Sequence, residues 1–76
     1  RLNLIKMIKL FDEIPRDVRD SIVIYIEYTI LKAPQYRWAE LVFGLSQQYQ
    51  SEEIKDFIDF YFNMRMEQIL NEGNND

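Results

Sequence analysis

Residues 51–71, SEEIKDFIDFYFNMRMEQILN, decide the fold class because they predict a long helix that is apolar over much of its surface. Successive residues of an α-helix turn by about 100°, so the apolar side chains of this stretch cover an arc of roughly 200°. A helix that faces a single core needs a stripe only a little over about 100° wide. The surplus must be covered by the rest of the chain or by another chain, which predicts a protein-binding or self-assembling helix.

The residues at both ends of this stretch favour helix termini. Ser51 suits the N-cap position, and the two glutamates that follow it place negative charge in the first turn, where the helix dipole stabilises it. Gly73 stands just beyond the last apolar residues. We therefore predict a helix over about 52–71, followed by a disordered acidic tail over 72–76.

Two prolines delimit a second predicted helix, over about 15–33. Pro15 fits the first turn of a helix, and Pro34 blocks its continuation. The run SIVIYI at 21–26 also fits a buried strand, but no other segment of the chain offers a strand to pair with it, so a helix is favoured. Apolar residues surround nearly the whole of this helix, which is typical of a helix at the centre of a fold.

Two further amphipathic patterns predict helices over about 2–13 and 35–49. Gly44 interrupts the second of them, and we expect the helix to continue through it because the apolar spacing keeps its phase on both sides. The apolar stripe of this helix consists of Trp38, Leu41, Val42, Leu45 and Tyr49. The fold class expected is thus all-α, a compact bundle of four helices forming one domain over residues 1–71.

Composition excludes several classes of function. The chain has 76 residues and contains neither cysteine nor histidine, which rules out a disulfide framework, a zinc site of the usual ligands and a Ser–His triad. We predict no catalytic residues, no metal site and no cofactor. No apolar run is long enough to span a membrane, and the absence of cysteine is compatible with a reducing compartment, so a cytoplasmic location is expected.

The chain is acidic, with a net charge of −4, and the excess lies in its C-terminal half. Such a half repels phosphate, which disfavours nucleic acid as a partner. Down the last helix, five polar residues form an acidic ridge that we interpret as its solvated back. The ridge consists of Glu52, Asp56, Asp59, Asn63 and Glu67.

The surplus apolar residues point to a non-enzymatic interaction module, most simply a homo-oligomer with a regulatory or adaptor role. Aromatic residues, Met and Arg are enriched in protein interfaces. Arg65 falls inside the apolar arc, so it either reaches the edge of the face or pairs with a carboxylate from another helix or subunit. The predicted interface residues are Phe43, Phe60, Phe62, Met64, Arg65 and Met66.

One alternative is a small DNA-associated transcriptional regulator. Residues 39–46 have some character of a helix-turn-helix if the chain turns at Gly44. The next helix, however, opens with acidic residues where DNA-reading helices carry Arg, Lys, Asn or Gln. The pattern is therefore degenerate, and the interaction module remains the preferred interpretation.

Overall fold

The computed structural model describes residues 12–73, and the regular structure in that range is entirely helical. Three α-helices follow one another, with a short 3₁₀ turn (Gln35–Arg37) before the second. They are α1 (Arg16–Lys32), α2 (Trp38–Ser46) and α3 (Glu52–Gly73). The all-α prediction is confirmed in this range. The helix predicted over 2–13 lies outside the described residues except for Asp12 and Glu13, which are helical.

The bounds of α1 follow from the two prolines, and the structure confirms a helix rather than a strand. The carbonyl of Pro15 accepts the first helical hydrogen bond, from the amide of Arg19 at 3.0 Å. At the other end the amide of Ala33 donates to the carbonyl of Thr29 at 2.9 Å. Ala33 itself is extended, as expected for a residue that precedes a proline.

Helix α2 passes through Gly44, as predicted, but it is shorter than the predicted 35–49. It ends at Ser46, where the chain tightens: the amides of Gln48 and Tyr49 donate to carbonyls three residues earlier, at 3.1 and 3.2 Å. Bonds of this 3₁₀ type commonly close the last turn of a helix. Tyr49 lies beyond the helix but still packs against the core from the turn, which explains why it continues the apolar spacing of α2 in the sequence.

Helix α3 begins as predicted, with Ser51 as its N-cap. The hydroxyl oxygen of Ser51 accepts a hydrogen bond from the amide of Ile54 at 3.3 Å, and the hydroxyl donates to the carboxylate of Glu53 at 2.9 Å. The helix continues to Gly73, two residues beyond the predicted end. The first two residues of the predicted tail are therefore helical, and residues 74–76 lie outside the described range.

The three helices contact one another around a small apolar core. Trp38 adjoins this core, and its indole N–H donates to the carbonyl of Ala33 at 2.9 Å, which fixes the corner between α1 and α2. None of the helices between residues 12 and 73 is long and apolar enough to cross a membrane. The core residues are Ile14, Ile22, Ile26, Val42, Leu45, Phe57 and Ile58.

Candidate protein-interaction surface

The outer face of α1 exposes three large apolar side chains. Ile24 is 67% exposed, Tyr28 63% and Leu31 75%. Their spacing of four and three residues aligns them along one side of the helix, and we call this set the outer stripe. Ile22 and Ile26, on the opposite side, are fully buried in the core. Helix α1 is therefore apolar on two opposite faces, and the part of the chain that the structure describes covers only one of them.

Within residues 12–73 this helix packs its inner face against the core and leaves its outer face exposed, and its central position in the predicted four-helix bundle stays a prediction. The outer stripe is not among the predicted interface residues, because a helix that is apolar nearly all round is expected to be covered on all sides. The signal was nevertheless present. Residues 24, 28 and 31 repeat at i, i+4 and i+7, which is a second amphipathic pattern opposite the first.

An open groove of about 400 Å³ lies between α1 and α2, beside the outer stripe. Tyr28 belongs to both features, so the stripe and the groove form one continuous surface. The phenol of Tyr25 reaches across the groove and donates to the carbonyl of Leu41 at 3.5 Å. Pro34 contributes at the corner where α1 ends.

The charged residues of the groove are both basic. Lys32, in the last turn of α1, and Arg37, in the 3₁₀ turn, line it, and among residues 12–73 no acidic residue does. The guanidinium of Arg37 forms an exposed ion pair with Glu40, at 3.4 Å between Nε and Oε1. Such a pair is weak in water. The groove is thus a basic and aromatic site on a chain that is acidic overall.

The predicted interface residues do not form one patch. Phe43 lies exposed on α2, whereas the four predicted apolar residues of α3 are each half-buried. By helical spacing, Phe60 and Met64 lie on one flank of α3, while Phe62 and Met66 lie on the other. The wide apolar arc of α3 is therefore partly covered by the chain itself, and Phe62 packs against the core.

Arg65 pairs with a carboxylate of another helix of the same chain, one of the arrangements expected from the sequence. Its Nε and Nη2 donate to the two carboxylate oxygens of Glu27 in α1, at 2.5 and 3.1 Å. The hydroxyl of Tyr61 donates to the same carboxylate at 2.6 Å. A third donor of Arg65, Nη1, bonds to the side chain of Gln68 at 2.8 Å. This network joins α1 to α3 beside the core.

The network shifts the proton affinities of its members. The hydrogen bond from Arg65 is the largest influence on Glu27 and holds the pKa of its carboxyl below the ordinary value of 4.5. Burial, together with the hydrogen bond to Glu27, raises the pKa of Tyr61 from 10.0 to about 12. Glu27 is thus held ionised as the partner of Arg65, and Tyr61 stays neutral as a hydrogen-bond donor to the same carboxylate.

Two other sequence features have a clear place in the structure. All five residues of the acidic ridge are exposed on α3, and within residues 12–73 no group of acidic side chains is arranged to hold a metal ion. Residues 39–46 lie within the single continuous helix α2, so the chain makes no turn at Gly44. The glycine turn on which the helix-turn-helix interpretation rested is absent from this described segment.

Comparison with known proteins adds no relative from which a function could be carried over. The chain matches no family model, and it resembles neither a curated protein nor a solved structure.

Proposed function

We propose that the chain is a non-enzymatic protein–protein interaction module that self-associates and acts as a small regulatory or adaptor unit in the cytoplasm. The observation that carries the proposal is the outer stripe of α1, where Ile24, Tyr28 and Leu31 stand exposed in a row. An aligned apolar row on a small domain is a feature of binding surfaces, whereas apolar residues exposed singly are normal.

The principal contact is assigned to α1 rather than to the predicted face of α3. Association gains most from side chains that are exposed before binding and buried after it. The outer stripe meets this condition, while Phe60, Phe62, Met64 and Met66 are already half-buried within the chain. The α3 residues and Phe43 remain the second contact face to be tested.

Substitution of one stripe residue should have a large effect on a symmetric dimer. Full burial of a Leu side chain stabilises by roughly 2 kcal/mol, so a side chain that is about three-quarters exposed has about 1.5 kcal/mol left to gain. Both subunits carry the substitution in a homodimer. Leu31→Ser therefore removes about 3 kcal/mol, which weakens the dissociation constant by about 100-fold.

The test is molar mass in solution, measured by light scattering after size exclusion over a wide concentration range. We expect the wild type to form a dimer or a larger assembly and Leu31→Ser to shift strongly towards monomer. Leu70→Ser is the matched control, because Leu70 is also an exposed leucine, at 57%, but lies near the end of α3 and belongs to neither proposed set of contact residues. Phe43→Ser tests the part of the second contact face that lies on α2. Phe60→Ser tests the face of α3. Far-UV circular dichroism establishes that each variant is folded.

The variants together show which helix face forms the contact between copies of the chain. Loss of association in Phe60→Ser or Phe43→Ser, with Leu31→Ser unaffected, moves the contact away from α1. A wild-type chain that stays monomeric at about 1 mM contradicts self-association altogether. Even a dimer with a binding free energy of only about 4 kcal/mol forms substantially at that concentration.

A further inference from the structure

We propose that the groove between α1 and α2 binds an acidic peptide segment of a partner protein, one large apolar side chain of which sits against Tyr25 and Tyr28. The carboxylates that flank this side chain lie over Lys32 and Arg37. The proposal goes beyond self-association, because it assigns a second binding site and the chemistry of its ligand.

The apolar part of the ligand follows from the size and walls of the groove. A volume of about 400 Å³ is at the small end of the range for ligand sites and suits one large side chain better than an extended surface. Two tyrosines, Pro34 and Leu41 supply apolar contact area. Tyrosine is favoured at such sites because it offers a large rigid surface at little cost in conformational entropy.

The acidic part of the ligand follows from the charges. The net charge of the chain is −4, yet both of the described charged residues that line the groove are basic, and the pair that Arg37 forms with Glu40 is weak and exposed. Lys32 stands on α1 and Arg37 in the next turn, so the two cations flank the corner at Pro34. A peptide with carboxylates on either side of its apolar residue complements this arrangement, and a basic peptide is repelled by it.

Nucleic acid fits the groove less well than a peptide. Two cations give few phosphate contacts, and the exposed acidic ridge of α3 contributes repulsion over a longer range. A short single-stranded oligonucleotide is therefore a useful comparison probe in the test below.

Binding in the groove should oppose self-association. Tyr28 belongs both to the groove and to the outer stripe, so an occupied groove and a second copy of the chain compete for the same side chain. Linkage makes this competition reciprocal: peptide lowers the affinity between copies, and association lowers the affinity for peptide by the same factor.

Trp38 provides a built-in reporter of binding. It is the only tryptophan in the chain, and its indole N–H is bonded to the carbonyl of Ala33, which lines the groove. The probe is a short capped peptide with one central phenylalanine flanked by aspartates. Its controls are the same peptide with serine in place of phenylalanine and the same peptide with lysines in place of the aspartates. Titration is followed by Trp38 fluorescence and by amide chemical-shift changes.

The decisive comparison is between two variants of equal net charge. Lys32→Glu with Arg37→Glu reverses the two cations of the groove. Arg16→Glu with Lys55→Glu makes the same charge change elsewhere, since neither residue lines the groove and Arg16 lies 16 residues from Lys32, or about 24 Å along α1. We expect the groove variant to weaken peptide binding by at least about tenfold more than the control variant, and added salt to narrow the gap between wild type and groove variant.

Several results would overturn the proposal. They are the absence of binding by both the wild type and the Leu31→Ser variant at about 1 mM peptide, equal weakening in the two charge variants, equal binding of the lysine peptide, and tighter binding of the oligonucleotide than of the acidic peptide. Self-association is measured separately by light scattering. A wild-type monomer that binds the peptide contradicts the proposed self-association alone. Because a second copy competes for Tyr28, peptide binding is also measured on the Leu31→Ser variant, whose substitution lies outside the groove. A folded Leu31→Ser monomer that does not bind the peptide at about 1 mM contradicts the groove alone.

Discussion

The ion pair between Glu27 and Arg65 makes a measurable prediction about how α1 and α3 are held together. The perturbation is a double-mutant cycle of Arg65→Met, Glu27→Gln and the combination. Met keeps an apolar stem of similar length to that of Arg, and Gln keeps the shape of Glu, so both changes remove charge with little loss of packing. The cycle also cancels the bond between Arg65 and Gln68, which is lost in every variant that lacks Arg65.

The magnitude follows from the geometry and the exposure of the pair. Two unit charges about 4 Å apart attract by about 4 kcal/mol at an effective dielectric constant of about 20. The side chain of Arg65 is 24% exposed and that of Glu27 38%, so water screens part of this attraction, and partial desolvation of both groups offsets more of it. The bidentate geometry keeps the net value above that of an ordinary surface pair. We expect a coupling free energy of about 1–2 kcal/mol.

The assay is urea unfolding followed by far-UV circular dichroism at neutral pH. Each single variant should lose about 1–2 kcal/mol, with an unchanged slope against urea, and for a domain of this size each kcal/mol lowers the melting temperature by about 4–8 °C. A coupling free energy within about 0.3 kcal/mol of zero refutes the argument, because independent sites add to within that margin. Arg65 would then be available for the interface that its sequence position suggested.

Three further predictions follow from local geometry. Gly44→Ala should stabilise the fold by about 1 kcal/mol in thermal unfolding, because a Cβ at this helical position meets no atom of the other described elements within 4 Å; a loss of stability contradicts the open space. Ser51→Ala should lower the free energy of unfolding by about 1 kcal/mol through loss of the N-cap, whereas Ser51→Asp should keep most of the wild-type stability. Equal stability of the wild type and both variants would show that the N-cap does not stabilise the fold. The stability of the fold should depend on pH at both ends of the range. The lowered pKa of Glu27 gives stability that is present above pH 4.5 and is lost as the pH falls through the pKa of Glu27 in the folded state. The raised pKa of Tyr61 gives stability that is full below pH 10 and is lost as the pH rises to about 12. Glu27→Gln should flatten the acid limb and Tyr61→Phe the alkaline limb, and parallel curves for wild type and variants contradict the assignment.

Local signals in the sequence predicted the helices well. Pro15, Pro34 and Ser51 act through their own backbone and side chains, so the bounds of α1 and the start of α3 could be derived without knowledge of the tertiary structure. The end of α2 was placed three residues too late, because Tyr49 reaches the core from a turn and thereby imitates the helical phase.

The candidate site was harder to predict because it depends on which faces meet. The sequence showed that two helices carry surplus apolar surface, but only the packing decides that the outer face of α1 stays exposed while the arc of α3 is partly covered. It also predicted that Arg65 needs either a carboxylate or the edge of the apolar face. Selection of Glu27 as that carboxylate requires the relative position of α1 and α3, which no spacing along the chain encodes.

The distribution of burial along α3 divides this helix into two parts with different exchange behaviour. The helix has 22 residues, about 33 Å in length, but its fully buried side chains, Phe57 and Ile58, lie within its first two turns. Between Arg65 and Glu72 no side chain is buried. We therefore expect the amides around Phe57 and Ile58 to exchange with solvent deuterium only on global unfolding, and those of the last turns to exchange through local fraying. A protease that trims these turns back towards Arg65 consequently leaves a unit of nearly undiminished stability.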